Sequence, residues 1–164
     1  MLSADIGSTV DSGTMNSASD YDTPWSLADL EVKEARVSQL HEPHIKPLTE
    51  FVDHLRQETE LGVAIPYFDP MDGGTTSSCL FLGEAPGPKA VASGFVSRNN
   101  PDFSARNFFE LNQEAGIPRH KTLTWNIVPW YIGSGKKIRP ATPDDIRKGA
   151  VFLTKLLPCF RIYL

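Results

Sequence analysis

The chain has 164 residues, 40% of them apolar and 22% charged, and a formal net charge of −4, the balance of a soluble globular domain. Two cysteines, Cys79 and Cys159, are too few for a cysteine-held iron–sulfur cluster or zinc site and form no disulfide framework, so no cofactor and a reducing, cytoplasmic setting are expected. No apolar run reaches about 18 residues, and no basic stretch precedes an apolar core at the start, so neither a membrane span nor a secretory leader is expected.

Residues 1–24 are rich in Ser, Thr, Gly and Asp without periodicity, which predicts a disordered extension ahead of a domain at 25–164. Residues 26–40 predict a first helix, with Ser26 as cap and Leu27, Leu30, Ala35 and Val37 weakly periodic. HEPHIKP breaks it. Leu48 to Leu61 predicts an amphipathic helix with Leu48, Phe51, Val52, Leu55 and Thr59 along one stripe. Residues 62–77 read as a long irregular connection, and loops of that length in compact domains are usually functional. Residues 78–83 predict a strand that is apolar without alternation, the pattern of burial on both faces of a parallel sheet.

Residues 84–104 carry turn chemistry and no convincing period. A helix is predicted over 105–115, stopped by Gly116. A second strand is predicted over 121–128 and a basic loop after it. Thr142 caps the next helix, with Pro143 at its first position and two aspartates in its first turn, running to about Leu157. CFRIYL reads as the start of a third strand. Helix alternating with strand predicts an α/β fold, a three-layer α/β/α sandwich on a parallel central sheet, incomplete at its carboxyl end.

Four constellations carry chemistry. The first is FLGEAPGP, where an apolar strand runs into Gly83, Glu84, Ala85, Pro86 and Gly87. Ligands of open α/β sheets bind at carboxyl ends of strands. Gly83 permits close approach, the prolines pre-set the turn, and Glu84 can act as a base or accept a hydrogen bond. The alternative is an ordinary turn with a solvated Glu84. The second is Asn126, a polar amide in a buried strand. It presents a donor and an acceptor side by side, as the edge of a nucleobase does, or else it bonds a neighbouring loop.

The third is Phe95, which can stack on a flat ligand or anchor its loop on the core. The fourth is the loop of Gly133, Ser134, Gly135, Lys136 and Lys137 with Arg139, which can bind phosphate or stand solvated; it is not a Walker A motif. Residues 119–164 hold 9 basic and 2 acidic side chains, against 4 and 12 in residues 1–60. That asymmetry points to an anionic partner or to a solvated helix face. His41 and His44 have no further metal-ligand candidates nearby, so no metal site is expected. A GxSxG elbow is absent, which argues against an α/β hydrolase.

Taken together, IPYFDPMDGG, CLFLGEAPGP, FVSRNNPDFSARNFF and TWNIVPWYIGSGKKIRPATPDDIRKG resemble the uracil-DNA glycosylase superfamily over about residues 45–164. GEAPG is similar to the first motif of the thermophile-type (family 4) branch; other branches carry GQDPYH or GINPG there. The resemblance implies a monomer that binds uracil-containing DNA, flips the uracil out and hydrolyses its N-glycosidic bond in base excision repair. It implies that Phe95 stacks on the flipped base and Asn126 reads its edge. It also implies that the first-motif loop, Glu84 to Pro86 flanked by Gly83 and Gly87, places a water beneath the sugar. Lys136, Lys137 and Arg139 would lie at the DNA backbone.

Three departures accompany the resemblance. Ala85 stands where GQDPYH has its water-orienting aspartate, so that task would fall to Glu84 or to main chain. The four cysteines of the family 4 cluster are reduced to two. No HPSP-like second motif, which supplies a histidine for the leaving uracil, follows the last predicted strand. These departures imply a domain without its last strand and second motif. The alternative expectation is therefore a truncated, inactive relative that at most binds nucleic acid.

Overall fold

The computed structural model describes residues 21–160, with Lys136 and the side chain of Val63 outside the description. It mixes helices with short strands in small, mostly parallel sheets. Helix α1 spans Leu30–Ser38 and α2 spans Lys46–Thr59. Strand β1 (Tyr67–Phe68), β2 (Cys79–Gly83), helix α3 (Pro88–Ser93) and β3 (Phe95–Val96) follow. Helix α4 (Phe103–Glu114) and strand β4 (Thr122–Asn126) come next. A small ladder of β5 (Gly133–Ser134) and β6 (Lys137–Ile138) leads to helix α5 (Pro143–Leu156).

The central pair is β2 and β4, parallel over five rungs from Cys79↔Thr122 to Gly83↔Asn126. Side chains alternate along a strand. Leu80, Leu123 and Trp125 therefore share one face and pack in one cluster with Leu48, Val52, Leu55 and Leu156 from α2 and α5. Phe68 of β1 stacks flat on Trp125, with ring centroids 3.9 Å apart. On the opposite face Phe81 meets Phe108 of α4 edge-on at 4.9 Å. Each fully buried Leu or Phe side chain contributes about 1.5–3 kcal/mol through burial.

Caps explain several boundaries. Asp29 accepts from the Glu31 amide ahead of α1, and Asp102 accepts from the Ala105 amide ahead of α4. The cap predicted at Thr142 is a full capping box with Asp145, which satisfies amides that the first turn leaves unpaired. The Asp145 carboxyl lies well below the usual carboxylate range, held there by Arg139 and by the Thr142 hydroxyl and amide.

Several expectations are corrected. Residues 26–40 divide into a 3-10 turn at Ser26–Ala28 and α1. The face of α1 turned inward carries Val32 and Arg36, while Leu30 and Val37 are exposed. Its weak apolar period missed this face because a charged residue occupies the inner position.

Residues 84–104 contain α3 and β3, the latter pairing in parallel with β1. Such a short strand shows no period of its own. Strand β2 is exposed at both ends and half-buried between them, not buried on both faces, because among the described residues it pairs only with β4. Cys159 closes a 3-10 turn at Leu157–Cys159; of the strand expected in CFRIYL, residues 161–164 lie outside the described residues. So do residues 1–20 of the expected disordered extension. Residues 21–24 are instead docked on the domain. The Asp22 carboxylate accepts hydrogen bonds from Arg98 (2.7 Å), Asn99 (3.1 Å) and Arg119, a tether that apolar periodicity cannot reveal.

Candidate functional site

Strands β2 and β4 end level with each other, so Gly83 and Asn126 form their last rung. Both loops stay in register for two more residues. The Ile127 amide donates to the Gly83 carbonyl and the Val128 amide to the Glu84 carbonyl, each at 2.9 Å. From the other side, α5 presses on this loop at Gly149, whose missing side chain makes room for the Ile127 carbonyl. The segment entering α5 reaches the first motif too, since the Ala141 amide donates to Glu84 Oε1 at 2.8 Å. Three chain segments thus converge on the carboxyl ends of two parallel strands.

Within this convergence Asn126 is 7% exposed. A Cβ at position 83 would lie 2.7 Å from Asn126 Oδ1, so the glycine leaves the amide room for its present position. Among the described residues the Asn126 amide has no hydrogen-bond partner, and neither of its polar atoms is sealed from solvent. The bond to a neighbouring loop, offered above as an alternative, is not made. The amide is therefore open to solvent, and its donor and acceptor are accessible to water or to a ligand that both donates and accepts. Glu84 is exposed and bonded to the Ala141 amide, Ala85 is half-buried, and Pro86 is buried. Gly87 precedes α3 as its N-cap, and Pro88 starts the helix.

The other predicted residues divide. Phe95 is 1% exposed and packs with Leu27, Val32, Leu40 and Tyr67. Its ring is an anchor for the 94–100 loop, with no open face for a base, which corrects the stacking expectation. The basic loop is a closed hairpin, fastened where Tyr131 Oη donates to the carbonyls of Gly135 and Lys137 at 2.9 and 3.0 Å. Arg139 binds Asp145 through two bonds of 2.6 and 3.0 Å. Lys137 is exposed and makes no ion pair among the described residues; Lys136 lies outside them.

Sequence reasoning missed a buried charge cluster. Arg119, just before β4, donates to Asp72 (2.9 Å), Asp69 (2.7 Å), Asn99 (2.6 Å) and Asp22. Arg36 adds an ion pair to Asp69 at 3.1 Å, and Ser97 donates to the same carboxylate. Burial alone would raise the Asp69 pKa, but Arg119 and Arg36 hold it below its ordinary value. Burial, with the nearby Asp69 charge, pushes Asp72 up to about 6 despite Arg119. The signal was present in the two aspartates of FDPMDGG and in the arginine of GIPRHK, charges set beside apolar residues. The cluster ties the loop after β1, the loop after β3 and the start of β4 together at one point.

A cleft of about 980 Å³ opens elsewhere, lined by His44, Pro47, Thr75, Ser78, Lys121 and Phe160 among others. Ser78 and Lys121 precede β2 and β4, so this cleft lies at the amino ends of the strands, opposite Gly83 and Asn126. Among the described residues no group of three or more His, Cys, Asp or Glu side chains is placed to hold a metal ion. Neither is any helix long and apolar enough to cross a membrane. Cys79 and Cys159 are free thiols, and burial raises the pKa of Cys159. Compared with protein-family models and with curated proteins, the chain matches none.

Proposed function

We propose that this chain is a uracil-DNA glycosylase-like domain that takes an extruded uracil at the carboxyl ends of β2 and β4. We propose also that its β2–β4 pair is the centre of a three-layer α/β/α sandwich. The observation that carries the reading is the unpartnered Asn126 amide, pressed against Gly83 at the topological position where open α/β sheets bind ligands. Uracil presents a carbonyl and an N–H on adjacent atoms of one edge, which an Asn amide matches with its own donor and acceptor. Cytosine exchanges them and would leave two polar groups unpaired, a loss that discriminates strongly in a buried site.

In this reading the first-motif turn holds the sugar. Pro86 and Pro88 stiffen it, and the bond from the Ala141 amide holds the Glu84 side chain across the turn. Glu84 is the carboxylate available to orient an attacking water, with Ala85 leaving space beside it. The C1′–N bond breaks and its electrons leave with the uracil as an anion; water supplies the hydroxyl on the sugar carbon, and the proton it loses passes to the Glu84 carboxylate and from there, through solvent, to the released uracil. Extrusion of the base costs a few kcal/mol, least where the base is unpaired.

A second reading, nucleic-acid binding without turnover, is favoured by the placement of His120. It precedes β4 at the amino end and so is remote from a leaving uracil. Release of free uracil from a labelled single-stranded oligonucleotide decides between them. Turnover that Asn126→Ala abolishes supports the glycosylase reading. Binding with no release at high enzyme concentration overturns it in favour of the second.

A further inference from the structure

We infer that Arg139 and Asp145 are positioning residues for Glu84: their ion pair fixes the backbone segment whose Ala141 amide holds the Glu84 carboxylate at the carboxyl ends of β2 and β4. The inference rests on the glycosylase reading, in which Glu84 orients the attacking water. Glu84 is exposed, and an exposed glutamate turns freely about its side-chain bonds. Here one donor restrains it, the Ala141 amide at 2.8 Å from Oε1. What fixes that amide therefore fixes the carboxylate.

The segment around Ala141 is pinned on both sides to a single side chain. Before it, Arg139 Nη1 and Nη2 donate to the Asp145 carboxylate at 2.6 and 3.0 Å. After it, the Thr142 amide and hydroxyl donate to Asp145 Oδ2 at 2.8 and 2.6 Å. A two-pronged guanidinium–carboxylate pair fixes geometry in a way that a single surface contact does not. Pro140 and Pro143 set φ on either side of Ala141 and Thr142. Arg139 Nη1 also donates to the Pro140 carbonyl at 3.0 Å. Asp144 does not compete for the guanidinium, since it pairs with Arg147 and Lys148, each at 2.8 Å.

Asp145 is in turn fixed to the rest of the site. It lies one turn before Gly149 on the same face of α5. That face presses on the Ile127 carbonyl, next to Asn126. The chain entering Arg139 is set by the hairpin that Tyr131 closes. One helix face thus supports Glu84, through Ala141, and Asn126, through Ile127. The carboxylate for the water and the amide for the base must keep their separation, because misplacement by about 1 Å can cost roughly 10²-fold in rate.

The resemblance puts Arg139 at the DNA backbone; the ion pair gives it a different task. The two tasks ask for different chemistry. A phosphate contact asks for positive charge, which lysine also carries. A fork on a carboxylate asks for the planar guanidinium, which lysine does not supply. Lysine at position 139 therefore separates them.

The test uses the full chain and two readouts. Amide hydrogen exchange, followed by NMR, reports the bond from Ala141 to Glu84 without any substrate. Uracil release from a single-stranded oligonucleotide gives kcat and KM. Glu84→Ala is expected to speed exchange of the Ala141 amide, which identifies its acceptor. Arg139→Ala and Asp145→Ala are expected to speed the same exchange roughly 10-fold by loosening the segment. Each is expected to lower kcat on the order of 10- to 10²-fold with KM unchanged, as loss of positioning alone does. Arg139→Ala leaves the Thr142–Asp145 capping bonds in place, so a loss in that variant is not helix unwinding. Arg139→Lys is expected to match Arg139→Ala in both readouts. Unchanged exchange or unchanged kcat in Arg139→Ala and Asp145→Ala overturns the inference, and so does full recovery of both readouts by Arg139→Lys. Faster exchange in the variants, with no uracil released by the unaltered chain, sinks the glycosylase reading and leaves the clamp on Glu84 standing.

Discussion

Gly83 and Asn126 are partners on the last rung of the β2–β4 pair, and a methyl group at position 83 would lie 2.7 Å from Asn126 Oδ1. The glycine is there for the amide. Gly83→Ala should swing the Asn126 side chain aside while leaving the rung intact. Displacement of a reading group by about 1 Å costs roughly 10²-fold in rate. Uracil release by Gly83→Ala should therefore approach that of Asn126→Ala, and the double variant should lose little more, because the two act through one group. A Gly83→Ala protein with full activity would break the link between them.

Phe95 tests anchor against stacking. Its ring is buried among Leu27, Val32, Leu40 and Tyr67, so Phe95→Ala should cost about 3–5 kcal/mol, as large buried rings do. The denaturant midpoint measures it. Phe95→Leu, which refills most of the space, should recover most of the stability and leave the affinity for DNA unchanged. A loss of DNA affinity in a well-folded Phe95→Leu protein would restore a stacking role.

The buried charge cluster gives a pH signature. Asp72 is pushed up to about 6, first by burial and then by Asp69, with Arg119 opposing. A carboxyl whose folded pKa lies above its unfolded value of 3.8 binds more protons in the folded state between those values. Its contribution to stability is present below about pH 4 and is lost as pH rises through 6. Asp69 and Asp22 are shifted down, so their contributions are present above pH 4 and lost in more acid solution. Asp72→Asn keeps an acceptor for Arg119 without the titration. Its stability relative to the unaltered chain should improve as pH rises from 4.5 to 7, read from urea midpoints at each pH. A constant difference across that range would refute the assignment to Asp72.

Gly149 lies inside α5, where alanine usually stabilises a helix by about 0.5–1 kcal/mol. Here a Cβ would enter the Ile127 carbonyl, which belongs to the loop following Asn126. Gly149→Ala should instead destabilise by about 1–3 kcal/mol and lower uracil release through the shifted loop. A thermal melt that rises would show that α5 has room to move.

Local chemistry is legible in sequence, and this chain illustrates how far that reaches. The Thr142 capping box, the run of α2, the two strands at 79–83 and 122–126, and the turn after Gly83 all follow from nearest neighbours and period. Asn126 and Gly83 stand out as candidates in the sequence too, because an amide in a strand and a glycine before a proline turn break the apolar pattern. Their adjacency does not. It depends on parallel register between segments about forty residues apart, which no local spacing encodes. The same distance hid the closure around Arg119, where Asp22, the Asp69–Asp72 loop and Asn99 meet from three places in the chain. It also hid the fate of Phe95. A single aromatic in a Gly-Ser loop has the same sequence whether it faces a ligand or the core, and only the packing of Leu27, Val32 and Leu40 against it decided for the core.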